Sequence, residues 1–248
     1  MKNEIEQHGI GKSILLHLFP GFILTLLYII FAPLAVKCGI PGFMVILIGG
    51  LLFIIPFELG YLFYEAKRKN RSFYLKNIIV YKEPLKIWQY FIFTLILLIW
   101  VILASLILIR PLDQFIFKSF FSWIPDMYLI NSFADQADLY SKSILVFIGI
   151  FGIIVNGILG PIVEELYFRG YLLPRISRLG AWAPMINTIL FSVYHFFTPW
   201  QNLSRIVSLT PLFYTVWWKK NLYIGIFVHC LMNIIGSVML IIYIMNSG

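Results

Sequence analysis

A chain of 248 residues that is 60% hydrophobic and only 12% charged, with a mean hydropathy of +0.89, is not a water-soluble globule. Several apolar stretches reach the length needed to cross a bilayer, so the chain reads as one polytopic, all-α membrane domain over residues 1–248. The net charge of +8 does not point to nucleic acid, because the basic residues gather at helix ends rather than along one face.

Residues 1–13 are short and polar, and the apolar run after them lacks a small-residue cleavage site, so it is expected to remain as a span. Seven spans are predicted. The first covers about residues 14–36, with Pro20 and Pro33, and a turn over 37–42 leads to the second, 43–64, which carries Pro56 and Glu58. A basic segment follows with Lys67, Arg68, Lys69, Arg71, Lys76, Lys82 and Lys86. The third span, 87–109, is expected to stop at Arg110-Pro111. Residues 110–142 form the longest connection, aromatic and acidic, and are expected to cap the bundle outside. The remaining spans are 143–159, 181–197, 206–218 (short for a crossing) and 222–245. This divides the domain into N-terminal spans with an external segment, 1–142, and a catalytic core, 143–245.

With the N-terminus in the cytoplasm, this layout puts fourteen of the nineteen Lys and Arg residues inside, Arg169 among them, and five outside, including Arg205. Cys38 and Cys230 form no disulfide framework and no CxxC metal signature, and both are read as packing residues. His8 is expected at the surface and His17 in packing. Glu58 is expected near the interface or paired with a lysine of the 67–71 run.

The chemistry concentrates at Glu164 and Glu165, adjacent acids in otherwise apolar sequence. Two neighbouring charges near hydrocarbon are costly, so one should be neutralised. On a helix Glu165 and Arg169 face each other, with the acid N-terminal to the base. Glu164 lies about 100° round the helix with no local basic partner. It is the candidate for chemistry. Later spans add Phe191 with His195, and His229 with Asn233, each pair on one helical face. A lone His or Asn in a membrane helix is usually interhelical glue. Together with an unpaired acid, such groups more often line a shared cavity.

A carboxylate and an imidazole around a water make a general-base pair, and a second imidazole with an amide can stabilise the oxyanion formed at a carbonyl. No cofactor is required by the sequence. Glu164, His195 and His229 admit Zn²⁺ by donor type, although no HExxH spacing is present.

These residues resemble the three motifs of the CPBP family, which includes CAAX prenyl proteases of the Ras-converting-enzyme type and bacterial Abi-like membrane proteins. Glu164-Glu165 through Arg169 matches the first motif, Phe191 with His195 the second, and His229 with Asn233 the third, with no departure from the pattern. The resemblance implies an intramembrane endopeptidase. Glu164 would activate water with His195 assisting, His229 and Asn233 would hold the oxyanion, and Glu165 and Arg169 would play a supporting part. The implied partners are a peptide or membrane-anchored protein substrate and the lipid bilayer, in the cell membrane. The competing expectation is a non-enzymatic membrane partner, an immunity or regulatory protein that binds a peptide or a sensor kinase. A transporter would call for an internal repeat, and none is visible.

Overall fold

The computed structural model describes residues 5–129 and 139–246, so part of the acidic connection, including Asp135 and Asp138, lies outside the described residues. The described chain is helical, with one isolated bridge between Lys82 and Asn221. The helices are α1 Ile10–Lys37, α2 Met44–Asn70, α3 Ile87–Phe121, α4 Lys142–Leu179, α5 Trp182–Tyr194, α6 Asn202–Lys219 and α7 Tyr223–Asn246.

Five of these, α1, α2, α3, α4 and α7, are long and apolar enough to cross a membrane. The expected seven crossings are therefore not confirmed among the described residues. The 13 residues of α5 rise about 20 Å, short of the roughly 30 Å hydrocarbon core. The 18 residues of α6 include Arg205 and a run of Ser and Thr. Instead α5 and α6 pack on each other, and α5 also packs on α1. Arg169 and Arg205, which seven crossings would place on opposite faces, line one cavity.

Prolines shape the long helices without ending them. Wide π-helical stretches at Gly50–Ile54, Ser105–Ile109, Ile153–Leu159 and Glu165–Leu172 each stop two residues before a proline, namely Pro56, Pro111, Pro161 and Pro174. A helical proline lacks the N–H and its ring collides with the carbonyl four residues back, and widening the preceding turns relieves that collision. Pro111 was expected to stop the third span, yet α3 runs on to Phe121.

Carbonyls left over by this widening are taken up elsewhere. The Gly170 carbonyl, four residues before Pro174, accepts the Val80 N–H at 3.1 Å from the segment joining α2 to α3. A Cβ at Gly170 would meet Ile79 Cγ2 at 2.8 Å, which accounts for a glycine here. The same segment docks on the start of α7, where Leu222 N–H donates to the Tyr81 carbonyl at 2.9 Å.

The N-terminal residues strap the end of α4. His8 N–H donates to the Arg175 carbonyl at 2.8 Å, and Gln7 Nε2 donates to the Pro174 carbonyl at 3.1 Å. The His8 ring packs on Tyr171 and is buried, with no partner on either nitrogen, so it is not the surface residue expected. Burial first, then the positive charges of Lys12 and Arg175, hold its pKa down at about 4 against the usual 6.5. A depressed histidine pKa means that the fold binds fewer protons than the unfolded chain. The stability from neutral His8 is therefore complete above pH 6.5 and lost as pH falls toward 4. Thermal unfolding in detergent should show a lower midpoint at pH 5 than at pH 7, with a smaller difference in His8→Phe. An equal pH effect in the variant would free His8 of this role.

Candidate active site

Two acids adjacent in sequence end up in different surroundings. Glu165 is 0% exposed, whereas the Glu164 side chain keeps 15% exposure. Arg169 Nη1 lies 3.2 Å from Glu165 Oε1, as the spacing predicted. The contact is an ion pair rather than an aligned hydrogen bond. The guanidinium sits between two aromatic faces, 4.1 Å from the Phe191 centroid and 3.8 Å from that of Phe213. On the other side, His229 Nδ1 donates to Glu165 Oε1 at 3.0 Å. Gly225 of α7 lies against the second oxygen, and a Cβ there would overlap Glu165 Oε2.

This bond fixes the His229 ring. Because Nδ1–H is spent on Glu165, Nε2 turns toward Glu164, 3.8 Å from its Oε2. Glu164 Oε1 accepts from the Tyr194 hydroxyl at 3.4 Å. His229, not His195, is the imidazole within 4 Å of Glu164 among the described residues. His195 caps its own helix, donating Nδ1–H to the Phe191 carbonyl at 2.8 Å, which likewise leaves Nε2 over.

Asn233 is placed by the proline of α4. In the wide register the Asn156 carbonyl would look for the N–H of Pro161, which has none. It accepts the Asn233 amide at 2.8 Å instead. One Asn233 N–H is thereby used and the other remains.

Two cavities meet at these residues. One, about 490 Å³, is largely apolar, runs between α1, α2, α4 and α7, and has Glu164 and Tyr194 in its wall. The other, about 450 Å³, lies between α3, α6 and α7 and is lined by Arg169, Arg205, Asp113 and Ser204. His195, His229, Asn233 and Asn156 belong to both linings and form their shared wall.

All six residues singled out in the sequence thus gather around this wall. Sequence reasoning missed three others. Arg205 carries no motif signal. Tyr194, next to His195, could have been found only by its hydroxyl. Glu58 is fully buried with neither oxygen partnered, contrary to the interfacial or lysine-paired position expected, and Glu164 and Arg169 are charges close enough to act on it. His17 is a packing residue as expected, with Nδ1 on the Ser13 carbonyl at 2.7 Å and Nε2 against Asn187 Nδ2 at 2.8 Å.

The donors at Glu164, His195 and His229 suit Zn²⁺ by type, and both imidazoles hold Nδ1 on an oxygen as zinc ligands do. The three are not gathered as a ligand cluster among the described residues.

Residues 146–235 match the family model described as Rce1-like, the type II CAAX prenyl endopeptidases. Over these residues the chain is similar to that family. No curated protein matches the chain, and no solved structure does. The Rce1-like match starts within α4 and ends within α7, so it contains all six site residues and leaves α1 to α3 outside. The family is one of CAAX-protease-like intramembrane endopeptidases, in line with a membrane protein built on several apolar helices.

In the matched segment the buried pair carries a clear consequence. Arg169→Ala would leave Glu165 charged and short of its cation, at a cost of about 3–5 kcal/mol. Folded protein recovered from membranes should fall sharply, and a variant that unfolds at the wild-type temperature would remove the structural role.

Proposed function

We propose that this protein is an intramembrane endopeptidase that hydrolyses a peptide bond in a membrane-associated peptide or protein, CAAX-protease-like in class. One observation carries the reading. Glu164, the acid left outside the Glu165–Arg169 pair, faces an apolar cavity on the wall that His195, His229 and Asn233 share.

On this reading a water beside Glu164 gives up a proton to the carboxylate, and its oxygen adds to the carbonyl carbon of the substrate. His195 Nε2 assists as acceptor for that water. Charge develops on the carbonyl oxygen, which takes the free Asn233 N–H and His229 Nε2–H. His229 can donate there only as an imidazolium, since its other N–H is on Glu165, and Glu165 is then its counter-charge. Collapse of the intermediate breaks the C–N bond, and Glu164 returns the proton to the leaving amine. We place the protein in the cell membrane with the N-terminus in the cytoplasm, on the strength of the basic residues near the helix ends.

Purified protein should cleave members of a quenched fluorescent peptide panel, and Glu164→Gln should lose at least about a hundredfold in rate, the usual scale of general-base catalysis. Cleavage should persist with a strong chelator. Loss with chelator would bring zinc into the reaction, and equal cleavage by wild type and Glu164→Gln would overturn the assignment.

A further inference from the structure

The Tyr194 hydroxyl is a polar group that the proposed reaction leaves without a task. The residue ends α5 and is buried, its ring edge-on to Phe168 at 5.1 Å and stacked on Phe191 at 6.0 Å. A phenylalanine would meet those packing contacts equally well. The hydroxyl answers to something else. Among the described residues its one partner is Glu164 Oε1, at 3.4 Å, and both residues lie in the wall of the larger cavity.

Both ends of this contact are held. Phe168 follows Glu164 by four residues in α4, so the helix that carries the acid also carries a ring that braces Tyr194. From the other side α1 passes so closely that a Cβ at Gly21 would overlap the Tyr194 carbonyl and meet ring Cδ2 at 2.7 Å. Because α1 lies outside the segment that matches the family model, this support is a feature of the chain beyond that match.

The contact gives the two oxygens of Glu164 different surroundings. Oε1 is turned to Tyr194, and Oε2 lies 3.8 Å from His229 Nε2 on the shared wall. A glutamate carboxylate turns about its last bond in a broad energy well, so its aim is set by what binds one of its oxygens. A donor on a charged oxygen is among the stronger hydrogen bonds. The 3.4 Å length fits a site without substrate, where catalytic hydrogen bonds are often long and tighten once the substrate is bound.

We propose that Tyr194 is a positioning residue, whose hydroxyl ties down Oε1 of Glu164 and so presents Oε2 to the attacking water at the shared wall. The proposal rests on the endopeptidase reading and adds to it a residue that acts only through Glu164.

The test is Tyr194→Phe in detergent-purified protein, beside wild type and Glu164→Gln, with the quenched fluorescent peptide that wild type cleaves fastest. The variant should lose about ten- to a hundredfold in kcat, the scale of a hydrogen bond to a charged group. KM should not change, because the ring that lines the cavity is kept and the lost interaction serves the transition state. The thermal unfolding midpoint should stay close to that of wild type. A raised KM with kcat kept would make Tyr194 a substrate contact and overturn the proposal. A sharply lower midpoint would make the hydroxyl a structural group and overturn it as well. Glu164→Gln keeps the two readings apart. Full kcat in Tyr194→Phe beside a crippled Glu164→Gln would remove the positioning role alone. No cleavage by wild type, or cleavage undiminished in Glu164→Gln, would remove the endopeptidase reading and this proposal with it.

Discussion

A carboxylate with no exposure to water has to be answered from within the protein, and much of this core is arranged around the answer to Glu165. Its cation is Arg169, one turn on in α4. That guanidinium needs surroundings too, and it finds them in Phe191 of α5 and Phe213 of α6. The His229 imidazole and the bare backbone of Gly225 bring α7 against the same carboxylate. Four helices therefore converge on a single charge. The ion pair is no large source of stability in itself, because both groups had to leave water. What it provides is a fixed position for His229, whose second nitrogen is turned on Glu164.

Prolines play the same part for the backbone. In α2, α3 and α4 the turns before a proline widen, whereas α1 takes Pro20 and Pro33 without widening, and the widening leaves carbonyls with no partner along the helix. In apolar surroundings such a carbonyl must be satisfied, so it draws in a donor from elsewhere. The Asn156 carbonyl draws Asn233 of α7, and the Gly170 carbonyl draws Val80 of the α2–α3 connection. The irregularities of α4 thus hold two elements in register, and one of those elements carries a candidate site residue.

Much of this was legible in the sequence. An all-α membrane bundle follows from hydropathy, and the pairing of Glu165 with Arg169 follows from helical spacing, which tolerates the wider turn. Three motifs were enough to name the six residues that meet at the wall. Other features depended on information that local pattern does not hold. The count of seven spans is not confirmed at α5 and α6, because hydropathy does not show that a helix stops after 13 residues in favour of packing on its neighbour. Glu58 and His8 read as interfacial or exposed because a polar residue beside lysines usually is, and only the packed neighbours reveal their burial. Arg205 was counted by its place between two expected spans, and only the packing of α6 puts it in the lining of the smaller cavity.

The two cavities give the shared wall unlike surroundings on its two sides. The larger cavity is apolar apart from Glu164 and its neighbours on the wall, while the smaller contains Arg169, Arg205 and Asp113. On the proposed reading, hydrolysis leaves a new carboxylic acid beside Glu164, which has just given its proton to the leaving amine; once that acid loses its own proton, two carboxylates face each other. Like charges a few ångströms apart in a poorly screened setting repel strongly. On that reading the acid proposed to activate water would also oppose retention of the acyl product. The uncleaved substrate, whose amide is neutral, meets no such repulsion.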